Sequence, residues 1–323
     1  MPKIAIIGAG LSGLTIGQNL QSIYDVHIFE KSRSLGGRIA SKVINDVTFD
    51  HGAQFFKANT KEFKAFIQPM IEEGIIQEWH GKFVEFDGNI IRHSRSWSNA
   101  PPHYVGSPSM NAIGKYLAQG LNIRKTTKIT QIIKDTGWLL VDDQDNAHGP
   151  FDWVISTIPA AQAFQIMPAN FEHLQDIKST QMLACFSLMT LSNEHLTLPF
   201  DAALVKNQDI SWISAQHSKP NRVQKSSLLT HSTNRWAQNN FDLNETEIIN
   251  HLKTELSYTT GINFANNEHY LHKWRYANVK KQHNTPYFLD RHNKLMACGD
   301  WCIQGRIEAA FLSGLHAASA IQE

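Results

Sequence analysis

The chain has 323 residues, 42% hydrophobic and 18% charged, which is the composition of an ordinary folded protein with room for one large domain or two intertwined ones. Thirty basic against twenty-nine acidic side chains leave a net charge of +1, so no global field calls for nucleic acid or an anionic membrane, and any anion must be met locally. No apolar run reaches the roughly 18 residues of a membrane span, the first residues lack the pattern of a signal peptide, and Cys185, Cys298 and Cys302 are too few for a disulfide framework or a zinc site; the expectation is a cytoplasmic protein with no metal.

Lys3-Ile-Ala-Ile-Ile7 predicts a strand that runs into Gly8-Ala-Gly10-Leu-Ser12-Gly13, a helix, and a second strand Val26-His-Ile-Phe29 ending at Glu30. In this G-x-G-x-x-G, Gly8 permits the tight turn, Gly10 lets the backbone approach a pyrophosphate, and Gly13 lets the helix lie close on the sheet. The phosphates then meet unpaired amides at the positive end of the helix. Glu30 suits a ribose 2′-hydroxyl and repels a 2′-phosphate. The spacing therefore predicts dinucleotide binding.

Next comes Lys31-Ser-Arg33-Ser-Leu-Gly36-Gly37-Arg38. The G-x-G-x-x-G, the acid ending the second strand and this R-x-x-G-G-R together resemble the flavin-dependent amine oxidase superfamily. That resemblance implies an α/β fold in which a Rossmann-like FAD-binding domain is interleaved with a second, α+β substrate domain, the amine oxidase and p-hydroxybenzoate hydroxylase-like architecture. It also implies FAD across the loop, with the Arg38 guanidinium offering charge-assisted hydrogen bonds to phosphate or ribityl oxygens. Lys31 and Arg33 join the cofactor candidates, although Arg33 also reads as a solvated loop charge.

In Thr48-Phe-Asp50-His-Gly52-Ala-Gln54-Phe55-Phe56 the small residues suit a backbone passing close to a flat ring. The resemblance makes Gln54 and Phe55 candidates for the flavin edge, with Phe56, Lys57, Ala58 and Asn59 leading into a substrate cavity; Phe55 and Phe56 also fit a plain core. An amphipathic helix from Glu62 to Glu73 and strands from Trp79 to Phe86 and Asn89 to Arg92 then read as an excursion from the nucleotide sheet. It carries Arg92-His-Ser-Arg95-Ser96-Trp97, a donor cluster that suits a nucleotide phosphate or ribose, or else a polar surface loop.

A helix ending near Gly120 follows, then one strand from Asn122 to Ile133, a hairpin partner from Trp138 to Asp142, and Trp153 to Ile158 returning to the nucleotide sheet. The resemblance places Ile129 against the adenine. Residues 161 to about 284 form a second excursion: strands Leu183 to Leu191, Ile210 to Ala215 and Ser227 to His231, and a helix from Asn244 to Leu256. Here Leu228-Leu-Thr-His231 and His272-Lys-Trp274-Arg-Tyr276 resemble the renalase subgroup, which implies Trp274 as a wall beside the flavin and His231 as a donor into the pocket. With sixteen histidines in the chain, His231 equally suits a structural role.

The last word is Cys298-Gly299-Asp300-Trp301 followed by a small-residue helix after Gly305. By resemblance Asp300 holds the ribityl chain, with Gly299, while amides at Arg306 and Ile307 face the N1 and O2 edge of the flavin. A helix dipole and directed amides there favour the negative reduced flavin by roughly 1–2 kcal/mol. The expected division is 1–59, 103–160 and 285–323 for FAD, and 60–102 and 161–284 for substrate.

The renalase resemblance implies a non-covalent FAD that oxidises the 2- and 6-dihydro isomers of NAD(P)H, hydride passing to flavin N5 and oxygen being reduced to hydrogen peroxide. Loss of hydride from a dihydropyridine leaves an aromatic pyridinium, so no general base is required. The alternatives are an amine oxidase or desaturase, and a flavin-bound scaffold without turnover.

Overall fold

The computed structural model describes residues 1–99, 101–281 and 283–323; Ala100 and Gln282, within the two expected excursions, lie outside the described residues. Lys3–Ile7 lies between Asp25–Phe29 and Trp153–Ser156, parallel to both. The six-stranded sheet runs Tyr287–Asp290, Leu295–Cys298, Trp153–Ser156, Lys3–Ile7, Asp25–Phe29, Asn122–Arg124, with only the first edge antiparallel. Trp153–Ser156 and Leu295–Cys298 are buried along their whole length. Parallel strands covered on both faces read as unbroken apolar runs, which is why they stand out in the sequence.

The helices Leu11–Leu20 and Ile307–Gln322 pack on this sheet and on each other. A Cβ on Gly314 would lie 2.6 Å from the Ser12 carbonyl oxygen, and Ser12 Oγ donates to the Ala310 carbonyl at 2.7 Å. Small residues in the last helix therefore set how closely the two ends of the chain approach. The helix Lys61–Glu72, capped by Thr60, buries Phe63, Ile67 and Met70 in the core that holds Leu14 and Phe311.

One expected strand is divided and another starts later than expected. The run from Asn122 to Ile133 breaks at Thr126, which takes φ +53°; Asn122–Arg124 joins the six-stranded sheet, and Ile129–Lys134 joins Trp138–Asp142 and Ala147–Phe151 in a three-stranded one. The run expected from Trp79 to Phe86 begins only at Lys82 and continues to Asp87, and a separate short strand, Ile76–Glu78, precedes it and pairs with Tyr104–Gly106. A β-branched residue at positive φ gives no warning in a sequence.

The larger sheet has seven strands: Glu268–Val279, Met182–Leu191, Ser227–Ser232, Ile210–Ala215, Ala202–Lys206, Lys82–Asp87, Ile90–Ser96. One face buries Phe186, Leu188, Ile213 and Leu228 against Ile248, Leu252 and Leu256 of the helix Glu245–Thr260. That helix starts in a reciprocal Asn244–Glu247 capping box and stops at Gly261 with φ +73°. Because side chains alternate along a strand, the opposite face collects Trp212, Ser214, His231, Ser187 and His272. Trp212 pairs with His231, His231 with Ser187 and Ser187 with His272 in one cross-strand line. This line lies over residues 50–56.

Candidate active site

Of the three turn glycines, two serve the protein itself. Gly8 takes φ +107° with a Cβ position 2.9 Å from Thr157 Oγ1, and a Cβ on Gly13 would collide with the Gly8 carbonyl. Gly10 differs: it is extended at φ −77°, a conformation open to any residue, and a Cβ there would meet nothing within 4 Å. The protein has no need of glycine at this position, whereas a pyrophosphate lying against the backbone does. Helix Leu11–Leu20 has no side-chain cap and no acid in its first turn, so its positive end is open to phosphate. Ser12 can offer only its amide there, since its hydroxyl is spent on Ala310.

Glu30 clamps the turn, Oε2 accepting from the Ala9 amide and Oε1 from the Ser32 amide, each at 2.8 Å. A carboxylate has about four acceptor sites, so two remain for a ribose. Gly36 donates to the Ala9 carbonyl at 2.9 Å, and a Cβ on Gly37 would stand 3.2 Å from Gly10 Cα, so the second glycine pair lies across the first turn. Lys31 and Arg33 are exposed on the same loop, and Ile129 is buried at the start of its strand.

Arg38 and Asp300, 262 positions apart, meet in a bidentate ion pair, with Arg38 also donating to the Ala277 carbonyl at 3.2 Å. The fork expected on phosphate or ribityl oxygens thus closes on the aspartate assigned to the ribityl chain, whose burial demands a counter-charge. Gly299 takes φ +155° with its amide on Ser313 Oγ, because a Cβ there would press on the Trp301 indole. Arg306 is exposed and extended at the start of the last helix, with Ile307 half-buried behind it.

The strip from Asp50 to Phe56 runs between Arg38 and the seven-stranded sheet. The Arg38 carbonyl accepts from the Ala53 amide at 2.9 Å. The His51 carbonyl accepts from Ser187 Oγ at 2.7 Å and Trp274 Nε1 at 2.8 Å, with His231 Nε2 at 3.4 Å. His231, expected to donate into the pocket, is therefore turned onto backbone. Trp274 stacks on the His51 ring at 5.3 Å, and His272 lies 4.4 Å from it. Burial, then the neighbouring His272, holds His51 down at about 3, and burial holds His231 at about 4, so both are neutral at pH 7.

Gln54, expected at the flavin edge, has a saturated side chain: Oε1 takes Ser214 Oγ, Gln216 Nε2 and Lys219 Nζ, and Nε2 donates to the Asp50 and Gly52 carbonyls. Only its backbone is left for a ring.

Alternation separates Phe55 from Phe56. Phe56 points into the core beside Phe63 and exchanges backbone hydrogen bonds with Tyr104, so it does not line a cavity. Phe55 faces Trp97, His103 and Trp212 at 5.2–5.5 Å. Trp97 stacks on His103 at 4.0 Å and on Phe83 at 5.4 Å, and the Arg95 guanidinium covers Phe83 at 4.7 Å. Burial, then the charges of Lys57 and Arg95, brings His103 to about 4. Ser96 Oγ accepts from the Ser98 amide and Asn59 is held by Glu308, while Ala58 is half-buried. Trp212 and His103 are not singled out by the sequence, and His51 and His272 stand inside its motifs without a role; for Trp212 and His272 the reason is that cross-strand register leaves no local motif. Among the described residues no three His, Cys, Asp or Glu side chains are grouped to hold a metal, and no helix is long and apolar enough to cross a membrane.

Residues 6–69 match an NAD(P)-binding Rossmann-like domain, and residues 87–322 match the flavin containing amine oxidoreductase family. The fold is similar to the crystal structure of a putative protoporphyrinogen oxidase from Exiguobacterium sp. 255-15, at TM-score 0.77 and 12% identity over 99% of this chain and 98% of that one. It is also similar to a putrescine oxidase redesigned in cofactor binding, at TM-score 0.70 and 11% identity over 99% of each chain. With the family matched over most of the chain and the backbone at Gly10 open to a ligand, the protein is a member of the flavin containing amine oxidoreductase family, and its cofactor is FAD.

Proposed function

We propose that the protein is an FAD-dependent oxidase of the 2- and 6-dihydro isomers of NAD(P)H. FAD, when bound, supplies the hydride acceptor and returns the electrons to oxygen, so that substrate, oxygen and one proton give NAD(P)+ and hydrogen peroxide. The observation that carries this reading is an aromatic cluster in which half-buried Phe55 and Trp212 are backed by the buried rings of Trp97 and His103, with Lys57 and Arg95 nearby. Such a cluster suits a flat ring, and its two cations suit the phosphates attached to that ring.

The surrounding groups agree. Asp50 is tied to Lys219 and Arg222, Asp300 to Arg38, Glu308 to Asn59 and Thr60, and Glu30 to two amides. His51 and His231 are neutral, and His231 Nε2 faces the His51 backbone carbonyl. Carboxylates so committed hold structure, and a dihydropyridine asks none of them to take a proton. What remains for the chain is presentation of C2 or C6 to the ring. In this reading residues 1–59, 103–160 and 285–323 hold FAD, 60–102 and 161–284 shape the substrate side, and the three buried free cysteines suit a reducing cytoplasm. FAD is held without a covalent bond, so trichloroacetic acid should release it to the supernatant.

Anaerobic stopped-flow mixing with separated dihydro-NAD isomers, and in parallel with small amines, is the test. Rapid bleaching by the 2- or 6-dihydro isomer supports the reading. Bleaching by an amine alone would replace it with amine oxidation, and bleaching by neither, in protein whose photoreduced FAD still reoxidises in air, would leave a scaffold.

A further inference from the structure

Beneath residues 50–56 lies a charge cluster that the proposed reaction does not use. Asp50 is fully buried and accepts four hydrogen bonds: from Ser41 Oγ at 2.7 Å and the Met110 amide at 2.9 Å on Oδ1, and from Lys219 Nζ at 2.9 Å and Arg222 Nη2 at 2.6 Å on Oδ2. Lys219 is only 2% exposed and Arg222 only 7%. Lys219 also donates to Gln54 Oε1 at 3.3 Å and Gln216 Oε1 at 3.2 Å, and its ammonium sits 5.4 Å from the centre of the Trp79 ring. Arg222 Nη2 donates further to the Gly106 carbonyl, while its Nε and Nη1 are buried with no partner among the described residues.

Two cations thus surround one anion, an excess of one positive charge inside the protein. Burial of an uncompensated charge is costly. Tying residues 216–222 to Asp50 requires one cation, or none. A surplus charge in a low-dielectric interior acts strongly on any other charge that develops nearby, and Gln54, which Lys219 grips directly, continues into the strip assigned to the flavin.

We propose that the Asp50–Lys219–Arg222 cluster is an electrostatic positioning device for the cofactor, its surplus positive charge favouring the reduced, negatively charged flavin and so making FAD easier to reduce. The inference rests on FAD lying along residues 50–56, and it is independent of which substrate is oxidised. Burial, opposed by Asp50, brings Lys219 down to about 8, so the surplus is present at neutral pH and fades above it. The titratable groups facing Lys219 are Asp50, Arg222 and His231, and of these only Lys219 changes charge between pH 7 and 9.5.

The test is the potential of the two-electron, one-proton couple of bound FAD, measured by dye equilibration without substrate, in the wild type, Lys219→Met and Arg222→Met. Both variants should retain FAD after gel filtration. At pH 7 both should reduce at least tenfold less favourably, about 30 mV for a two-electron couple. Raising the pH to 9.5 should close the gap for Lys219→Met, whose partner in the wild type has then lost its proton, and leave it open for Arg222→Met. An unchanged potential, a Lys219→Met gap that ignores pH, or loss of FAD from both variants would overturn the proposal. Failure of dihydro-NAD turnover leaves this measurement intact, because no substrate enters it.

Discussion

The two sides of the site are built by different means. On the nucleotide side Gly8, Gly10, Gly13, Gly36 and Gly37 shape bare backbone, and all stand within thirty positions of one another. On the substrate side Trp212, Ser214, His231, Ser187, His272 and Trp274 come from four strands spread over nearly ninety residues and meet only because of cross-strand register. Backbone demands are local and leave a recurring word in the sequence. Side-chain convergence is a property of the sheet.

The sharpest way to separate backbone that serves the fold from backbone that serves the cofactor is a pair of substitutions. Gly10→Ala should leave the melting temperature of the apo-protein nearly unchanged and weaken FAD retention at least tenfold, because apart from its chain neighbours no protein atom lies within 4 Å of the added Cβ. Gly13→Val should lower apo-protein stability by about 1–3 kcal/mol as well, since its Cβ would drive into the Gly8 carbonyl. Equal thermal losses in the two would mean that Gly10 is a packing residue and that the turn is not shaped around phosphate.

Arg38 stands where the two sides meet. Arg38→Ala strands the buried Asp300 carboxylate, which should cost about 1–3 kcal/mol in denaturant unfolding and weaken FAD retention at least tenfold. Arg38→Lys should recover only part of this, since an ammonium cannot reproduce a bidentate fork. Unchanged FAD occupancy after gel filtration of Arg38→Ala would remove the residue from the cofactor's grip.

How much could be read beforehand follows the same division. The strands Lys3–Ile7, Trp153–Ser156 and Leu295–Cys298 are visible because burial on both faces makes them uniformly apolar, and Glu30 because it must end the strand Asp25–Phe29. Thr126 at positive φ hid the break between two sheets. Asp50 stood inside a stretch read for its small residues, yet Lys219 and Arg222 carry no motif and reach it only through the loop after Ile210–Ala215. Phe56 was expected to lead from the flavin edge into the cavity, whereas alternation sends it to the core side, beside Phe63, and leaves Phe55 facing Trp212.

The neutral histidines of the substrate side give it a pH signature that the glycine side lacks. His51 holds near 3 when folded against 6.5 when unfolded, so between those values the unfolded chain takes up a proton that the folded chain refuses. Stability is then full above pH 6.5 and falls as the pH drops. At pH 5 His51 alone should remove about 2 kcal/mol, with His231 and His103 acting in the same direction down to about 4. Urea unfolding at pH 7 and 5 checks this, and His51→Gln should shrink the difference by about 2 kcal/mol, His231 and His103 keeping the rest. A slope near zero in the wild type would mean that these rings are protonated or solvated.

The smallest effect is expected where the substrate side is redundant. Trp274→Phe removes one of three donors to the His51 carbonyl but leaves Ser187 Oγ at 2.7 Å and His231 in place, so the carbonyl stays satisfied. Loss of a single hydrogen bond from a group that keeps others should cost no more than about 1 kcal/mol, to which the packing of the indole Cζ2 beside Gly52 adds a small loss. If Trp274 serves as a wall, the change should raise KM for a dihydronicotinamide a few-fold with kcat nearly constant, because a flatter, smaller ring still bounds the pocket. A collapse of kcat would instead mean that the indole N–H sets the path of residues 50–56, and that this side of the site depends on its backbone as strictly as the glycine turn does.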